Sequence, residues 1–324
     1  MRKQLIIGLL ISLICLYFAF RGLSIREIAE ALQKADLRWI GVALAIYSGG
    51  FMLRALRWEK LMKPIKAIPA AQLLRPMIIG FFANNVLPFR MGELARAHVA
   101  GQKFGISRTA SLGTIVLERI CDVIAFLSIF LIVALFFPFP DKVRHAAYAM
   151  GSGCALLIAA LYMTSHHEAR AQAWLMHLPI SGKWKGKLQE AVANFTHGVS
   201  GIKEGMYVLK ALLLSYLIWG IEGSTVYLIA RAFPVHLTYP QAYFLTFFIG
   251  LAVTLPQAPG YVGTVELLGV TALSLLGIPR DQGLPIILTI HGTEFAFIVL
   301  LGLWATWKEG LSMSNLMSQK ETAS

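Results

Sequence analysis

The chain has 324 residues, of which 57% are apolar and only 14% charged, where soluble domains average about 45–50% and about 25%. Too little polar surface remains to coat soluble domains of this size. The composition therefore specifies an integral membrane protein and excludes disordered, collagenous and disulfide-stapled secreted classes. The net charge of +12 is assigned to cytoplasmic loops lying on anionic headgroups. No nucleic-acid partner is expected, because the basic residues sit between hydrophobic runs.

Met1-Arg2-Lys3 precedes an apolar run from Leu5 to Phe20. No small-residue cleavage site follows, so the run reads as a retained signal anchor. Further runs long enough to cross about 30 Å of hydrocarbon are 39–56, 110–137, 146–164, 208–230 and 284–306. Trp39, Trp219, Trp304 and Trp307 include candidate interface anchors. Cys15, Cys121 and Cys154 each lie in an apolar run and read as small buried hydrophobes, not as a disulfide or metal framework.

Two apolar stretches, 74–104 and 240–277, are broken near the middle. The first break runs from Asn84 and Asn85 through Pro88 and Arg90 to Gly92 and Glu93. The second runs from Leu255 and Pro256 through Pro259 and Gly260 to Gly263, with Glu266 three residues on. Proline removes a helical donor and glycine permits the reversal. Each stretch is expected to be two half-helices joined by a bend, tolerated at membrane depth only where protein covers it or a cavity lies beside it. The fold class that follows is an all-α polytopic membrane protein. It has about six full transmembrane helices and two re-entrant helical hairpins.

Each hairpin is flanked by spans, so one layout occurs twice, over about 39–137 and 208–306, within a single membrane domain covering 1–324. With the N-terminus in the cytoplasm, the inside segments hold 18 Lys and Arg and the outside segments 8. That bias favours an inner-membrane protein with both termini cytoplasmic. It makes the two hairpins enter from opposite sides, an inverted-topology repeat of the kind many transporters use. The basic loop 165–207 reads either as short amphipathic helices on the inner leaflet or as a solvated linker.

No phosphate-binding loop, dinucleotide fingerprint, nucleophile elbow or His-Glu-x-x-His motif occurs in the sequence. His166-His167-Glu168 is a loop cluster; no metal, cofactor or catalytic set is expected. Helix N-termini carry free N–H groups and roughly half a positive charge, so the second half-helix of each hairpin is a candidate anion site. Arg90 and Arg96 add cations at the first, Asn84 and Asn85 add amides, and Gly92, Gly260 and Gly263 admit a headgroup to the backbone. The alternative is that these residues only shape the bends.

Ionisable residues inside spans are costly, so each is a functional candidate. Glu118 and Asp122 share a helix face, and Arg119 reaches Asp122 three residues on. They read either as a self-neutralising structural group or as a site where Arg119 meets a lipid phosphate. Glu222, His291 and Glu294 lie deep in the second copy of the repeated layout, 208–306, where they pair, relay protons or bind an ammonium group. Arg54 and Arg57, at a span end, are expected to snorkel to inner-leaflet phosphates.

The run from Asn84 to Ala97 and the Gly105-Ile106-Ser107-Arg108-Thr109-Ala110 segment resemble one known family. So do Val116-Leu117-Glu118-Arg119-Ile120-Cys121-Asp122 and the stretch from Pro259 to Glu266. That family is the lysylphosphatidylglycerol synthase/flippase transmembrane family, and the likeness covers nearly the whole chain. The resemblance implies a lipid-translocating module. In bifunctional members a cytoplasmic domain attaches an amino acid to phosphatidylglycerol and the membrane part flips the product. The chain ends at Ser324, just after the last span, so synthase activity is not expected and no enzyme is read here. The expected cargo is an anionic or zwitterionic membrane lipid, flipped with its headgroup between the hairpins. Arg90, Arg96 and Arg119 would hold phosphate, while Glu93, Glu222, Glu266 and Glu294 compensate charge, bind an amine or carry a proton. Alternatives are a polyprenyl-phosphate-linked or other isoprenoid lipid as cargo, a membrane-embedded lipid-modifying enzyme, or a scaffold for a separate lipid synthase. A homodimer is expected by analogy alone.

Overall fold

A computed structural model describes residues 2–87, 91–136, 145, 148–149, 152–153, 205–254 and 258–310, with side chains from residue 9 onward. Among these residues the structure is all-helical: ten α-helices and one short 3-10 turn. In chain order they are α1 (Arg2–Phe20), α2 (Ile25–Gln33), α3 (Leu37–Met62), α4 (Ala70–Val86), α5 (Gly92–Phe104) and α6 (Arg108–Phe136). There follow α7 (Gly205–Ala230), α8 (Tyr239–Thr254), the turn Pro259–Tyr261, α9 (Thr264–Leu275) and α10 (Arg280–Lys308).

Local chemistry accounts for the helix ends. Gly22, at φ 79°, closes α1, and Asp36 Oδ1 accepts the Arg38 N–H at 2.9 Å to open α3. Thr238 and Gln241 form a capping pair at α8, with Gln241 Oε1 accepting the Thr238 N–H at 2.8 Å. Gly277, at φ 81°, ends α9, while the Ile278 N–H returns to the Leu273 carbonyl at 3.0 Å. α4 stops at Val86, before the Leu87-Pro88 step, because a residue preceding proline is held out of the helical region.

Among the described residues α3, α7 and α10 are long and apolar enough to cross a membrane, and α1 with α2, bent by 80°, makes a fourth candidate. The predicted spans 39–56, 208–230 and 284–306 fall in α3, α7 and α10. The predicted span 110–137 coincides with the 29-residue α6. Both stretches expected to be broken divide into two helices, but α4 runs on through Asn84 and Asn85 to Val86 and α5 already holds Glu93, so the first break is shorter than expected. The span at 146–164 and the loop 165–207 lie largely outside the described residues. The short helix α2 was not anticipated; its Arg26–Glu30 pair at 2.9 Å is exposed.

The contacts divide the chain into two compact units, each assembled from separated stretches. The first comprises 1–51, 75–95 and 220–324. In it α9 packs against α1, α8 and α10, and α10 also packs against α2. Tyr47, Phe51, Phe81 and Phe297 stack edge-on and tilted at 5.5–5.7 Å between ring centroids. The second unit comprises 52–74 and 96–219. Its described core holds Trp58, Leu61, Met62, Leu73, Ile115 and Leu117, all buried. The Trp58 indole donates to Thr114 Oγ1 at 2.9 Å.

Candidate functional site

Within the first unit the two helix breaks meet. Asn84 lies in the last turn of α4, where carbonyls lack intrahelical partners, and its carbonyl accepts the Tyr261 hydroxyl at 3.1 Å. Its side chain closes the first break: Oδ1 accepts the Gly92 N–H at 2.7 Å, and Nδ2 donates to Glu93 Oε1 at 3.2 Å. Gly92 starts α5 against the Gly80 carbonyl and the Asn84 side chain, leaving no room for a Cβ. Asn85, predicted to face a headgroup, is buried and donates to the Phe81 carbonyl at 2.9 Å. Pro88, Arg90 and Pro256 lie outside the described residues.

The second break holds three residues at positive φ. Gly260 (φ 76°) and Tyr261 (φ 59°) lie within the Pro259–Tyr261 turn, and Gly263 (φ 94°) caps α9 after an extended Val262. For a bulky residue such as Tyr261 this conformation is costly and persists only where the surroundings hold it. The surroundings do so from two sides. Ser12 Oγ of α1 accepts the Ala258 N–H at 3.3 Å, and His291 Nε2 of α10 lies 2.7 Å from the Gly260 carbonyl. Glu266, on the first turn of α9, accepts the Gly263 N–H through Oε2 at 2.6 Å. Its Oε1 lies 2.6 Å from His291 Nδ1. Glu266, expected at a headgroup, is instead buried in a cap-and-histidine pair. His291 takes Glu266 as its partner, 25 residues away. Glu222 and Glu294 are half-buried on α7 and α10.

Within the second unit α3, α5, α6 and α7 converge on a charged cluster. Glu118, fully buried, accepts both terminal nitrogens of Arg96 at 2.9 and 2.8 Å. It also takes Arg119 at 2.6 Å and Arg57 at 3.2 Å. Arg57 binds Asp122 through both terminal nitrogens and donates to Ser215 Oγ at 2.7 Å. Arg119 reaches Asp122 at 3.4 Å, as its spacing predicts. The Arg96 guanidinium lies 3.6 Å over the Trp58 ring, a desolvated cation–π contact. Three guanidiniums thus share two carboxylates. Arg57 and Arg96 are sealed, with 1% and 4% of their side chains exposed, whereas Arg119 exposes 38%.

The snorkelling reading of Arg57 is corrected. It is buried among Glu118, Asp122 and Ser215, whose two charges and one hydroxyl offset the cost of taking the guanidinium out of water. Arg54 is buried too. Sequence reasoning missed Arg57 and Ser215 as members of the cluster. Arg57 is three residues from Arg54 on an apolar helix, and an arginine there already signals a buried partner. Cys121 is buried and Cys15 partly so, and both are free thiols; Cys154 lies outside the described residues. Among the described residues no group of His, Cys, Asp and Glu is arranged to hold a metal ion.

Residues 5–302 match the family described as the lysylphosphatidylglycerol synthase TM region. A UPF0104 membrane protein of Methanothermobacter thermautotrophicus is 24% identical over 315 residues, covering 91% of this chain and 92% of its own. Another, from Pyrococcus horikoshii, is 23% identical over 328 residues, covering 93% and 96%. The chain is also similar to the glycosyltransferase AglD of Haloferax volcanii, at 22% identity over 82% of this chain and 48% of that protein. No solved structure matches the chain.

Proposed function

The chain belongs to the lysylphosphatidylglycerol synthase transmembrane-region family, and on that premise we propose that it moves a polar lipid between the leaflets of the cytoplasmic membrane. The observation that carries the reading is the meeting of the two helix breaks through Tyr261 and Asn84. Irregular backbone at membrane depth needs a protein or aqueous lining, and paired broken helices are how many transporters build a central site. The breaks are read as the bends of two re-entrant hairpins, inverted relative to each other, with acyl chains remaining in lipid.

Residue roles divide by exposure. Arg119, the most exposed guanidinium of its cluster, is assigned to the lipid phosphate, with Glu118 and Asp122 holding it in place. Glu93 and Asn84 line the first bend; at the second, Gly260 and Gly263 are buried against Phe295 and the Ser12 backbone and shape the bend. Glu222 and Glu294 compensate charge. Both termini are assigned to the cytoplasm from the 18-to-8 distribution of basic residues.

The test uses purified protein in liposomes with headgroup-labelled lipids and a membrane-impermeant quencher outside. Quenching of the protected inner-leaflet label by native protein, lost in Arg119→Ala, is expected. Equal protection with and without native protein, across anionic, zwitterionic and polyprenyl-phosphate lipids, overturns the reading. The likeness to a protein named a glycosyltransferase favours a lipid-linked sugar as the second cargo, which competition among these lipids separates.

A further inference from the structure

We propose that Glu266 and His291 form a proton-binding site: one exchangeable proton, held by the pair, latches the second helix break, and its release frees that break to move. The proposal deepens the translocation reading by naming the proton as the coupling ion, and rests on that reading for its purpose.

The argument is a count of hydrogens. A carbonyl oxygen only accepts, so the 2.7 Å contact from His291 Nε2 to the Gly260 carbonyl requires a proton on Nε2. The 2.6 Å contact between His291 Nδ1 and Glu266 Oε1 requires a second proton between those atoms. Glu266 Oε2 is occupied as acceptor of the Gly263 N–H. A neutral imidazole and an ionised carboxylate together hold one ring proton. The observed pair therefore holds one more, either as imidazolium and carboxylate or as imidazole and carboxylic acid. Without it, two acceptors face each other at Nδ1 or at Nε2, at a separation at which lone pairs repel.

The surroundings make this proton consequential. His291 has 13% of its side chain exposed and Glu266 has 4%, so bulk water cannot replace a lost bond freely. Gly260 and Tyr261 both hold positive φ, and the bond from His291 restrains this turn from the α10 side, as Ser12 does at the Ala258 N–H from α1. The same turn carries Tyr261, which reaches the first break. Other titratable groups around the pair are few. α1 contributes Cys15, a partly buried free thiol, and Tyr17, which is exposed. α9 contributes no ionisable residue besides Glu266, and α8 carries only the tyrosines Tyr239 and Tyr243. On α10, Glu294 lies three residues beyond His291, Arg280 and Asp281 lie at one end, with Arg280 bound to the Phe18 and Ala19 carbonyls, and Lys308 at the other. On α2, which packs on α10, Arg26 is engaged with Glu30, and Glu27 is exposed. Proton loss is therefore centred on the pair, and the latched form is favoured at low pH and lost as pH rises.

The test follows amide hydrogen exchange of the 258–263 segment in native protein in lipid nanodiscs, over roughly pH 5 to 9, corrected for the intrinsic rate. Native protein is expected to lose protection by about tenfold or more, one factor of ten per 1.4 kcal/mol, across a single step. Glu266→Gln removes the step. Its amide N–H donates to Nδ1 while a neutral ring still donates to the Gly260 carbonyl, so every bond survives without the extra proton. No step in native protein, or an identical step in Glu266→Gln, overturns the proposal. Should the variant not fold, nitrogen-15 histidine and carbon-13 glutamate side-chain spectra of labelled native protein decide. A ring passing from two N–H groups to one, or a carboxyl passing from acid to carboxylate, together with the exchange step supports the latch. Neither signal changing with that step overturns it. Neither readout moves lipid: a protein that shows the step and translocates nothing overturns the transport reading and leaves the proton site standing.

Discussion

Tyr261 donates its hydroxyl to the Asn84 carbonyl across 3.1 Å, joining residues 177 apart in the chain. The acceptor is a carbonyl left over by the end of α4, and the donor sits on a residue forced into the left-handed region. Each break thus satisfies a need of the other.

Tyr261→Phe removes this bond and leaves the ring. A loss of about 1 kcal/mol in stability is expected, read as a lower melting temperature in detergent. Lipid translocation is expected to fall more than stability does, because the bond aligns the two breaks. A variant with native translocation refutes that alignment role.

Glu118 and Arg119 are neighbours in sequence with opposite expected behaviour. Glu118→Gln leaves three guanidiniums around a buried neutral amide, and removing one partner of a buried ion pair costs about 3–5 kcal/mol. The protein should aggregate or melt far below native. Arg119→Ala, with a side chain already 38% exposed, should keep its melting temperature within a few degrees, about 1 kcal/mol, while translocation drops at least roughly tenfold. Reversal of the two outcomes would place the structural centre at Arg119.

Gly92→Ala places a methyl group against the Gly80 carbonyl and the Asn84 side chain. Overpacking of this kind costs about 1–3 kcal/mol. The expected signature is a lowered melting temperature with faster exchange at the first residues of α5. Unchanged exchange there would show that α4 and α5 separate without cost.

Asn84→Asp exchanges an amide that donates to Glu93 for a second carboxylate. The Gly92 N–H keeps its acceptor, but two like charges now face each other. The variant should be less stable at neutral pH than under acid conditions, where one carboxyl is protonated. Denaturation at both pH values checks this, and a pH-independent difference from native counts against the Asn84–Glu93 contact.

Composition and local order determined the class and the punctuation of this protein. An apolar majority leaves membrane as the solvent, and proline and glycine act on their own neighbours, so both breaks and the end of the first apolar run at Phe20 could be read directly, although α4 extends through Asn84 and Asn85 to Val86. The spacing of Glu118, Arg119 and Asp122 likewise placed three charges together, since one helix turn fixes them. The partners were decided elsewhere. Arg57 meets Asp122 and Ser215 from 65 and 158 residues away, and Glu266 turns to His291 and its own helix cap instead of facing outward. A buried charge takes whichever counter-charge packing brings within about 3 Å. That choice is made by how helices stack, which hydropathy and spacing along one helix do not encode.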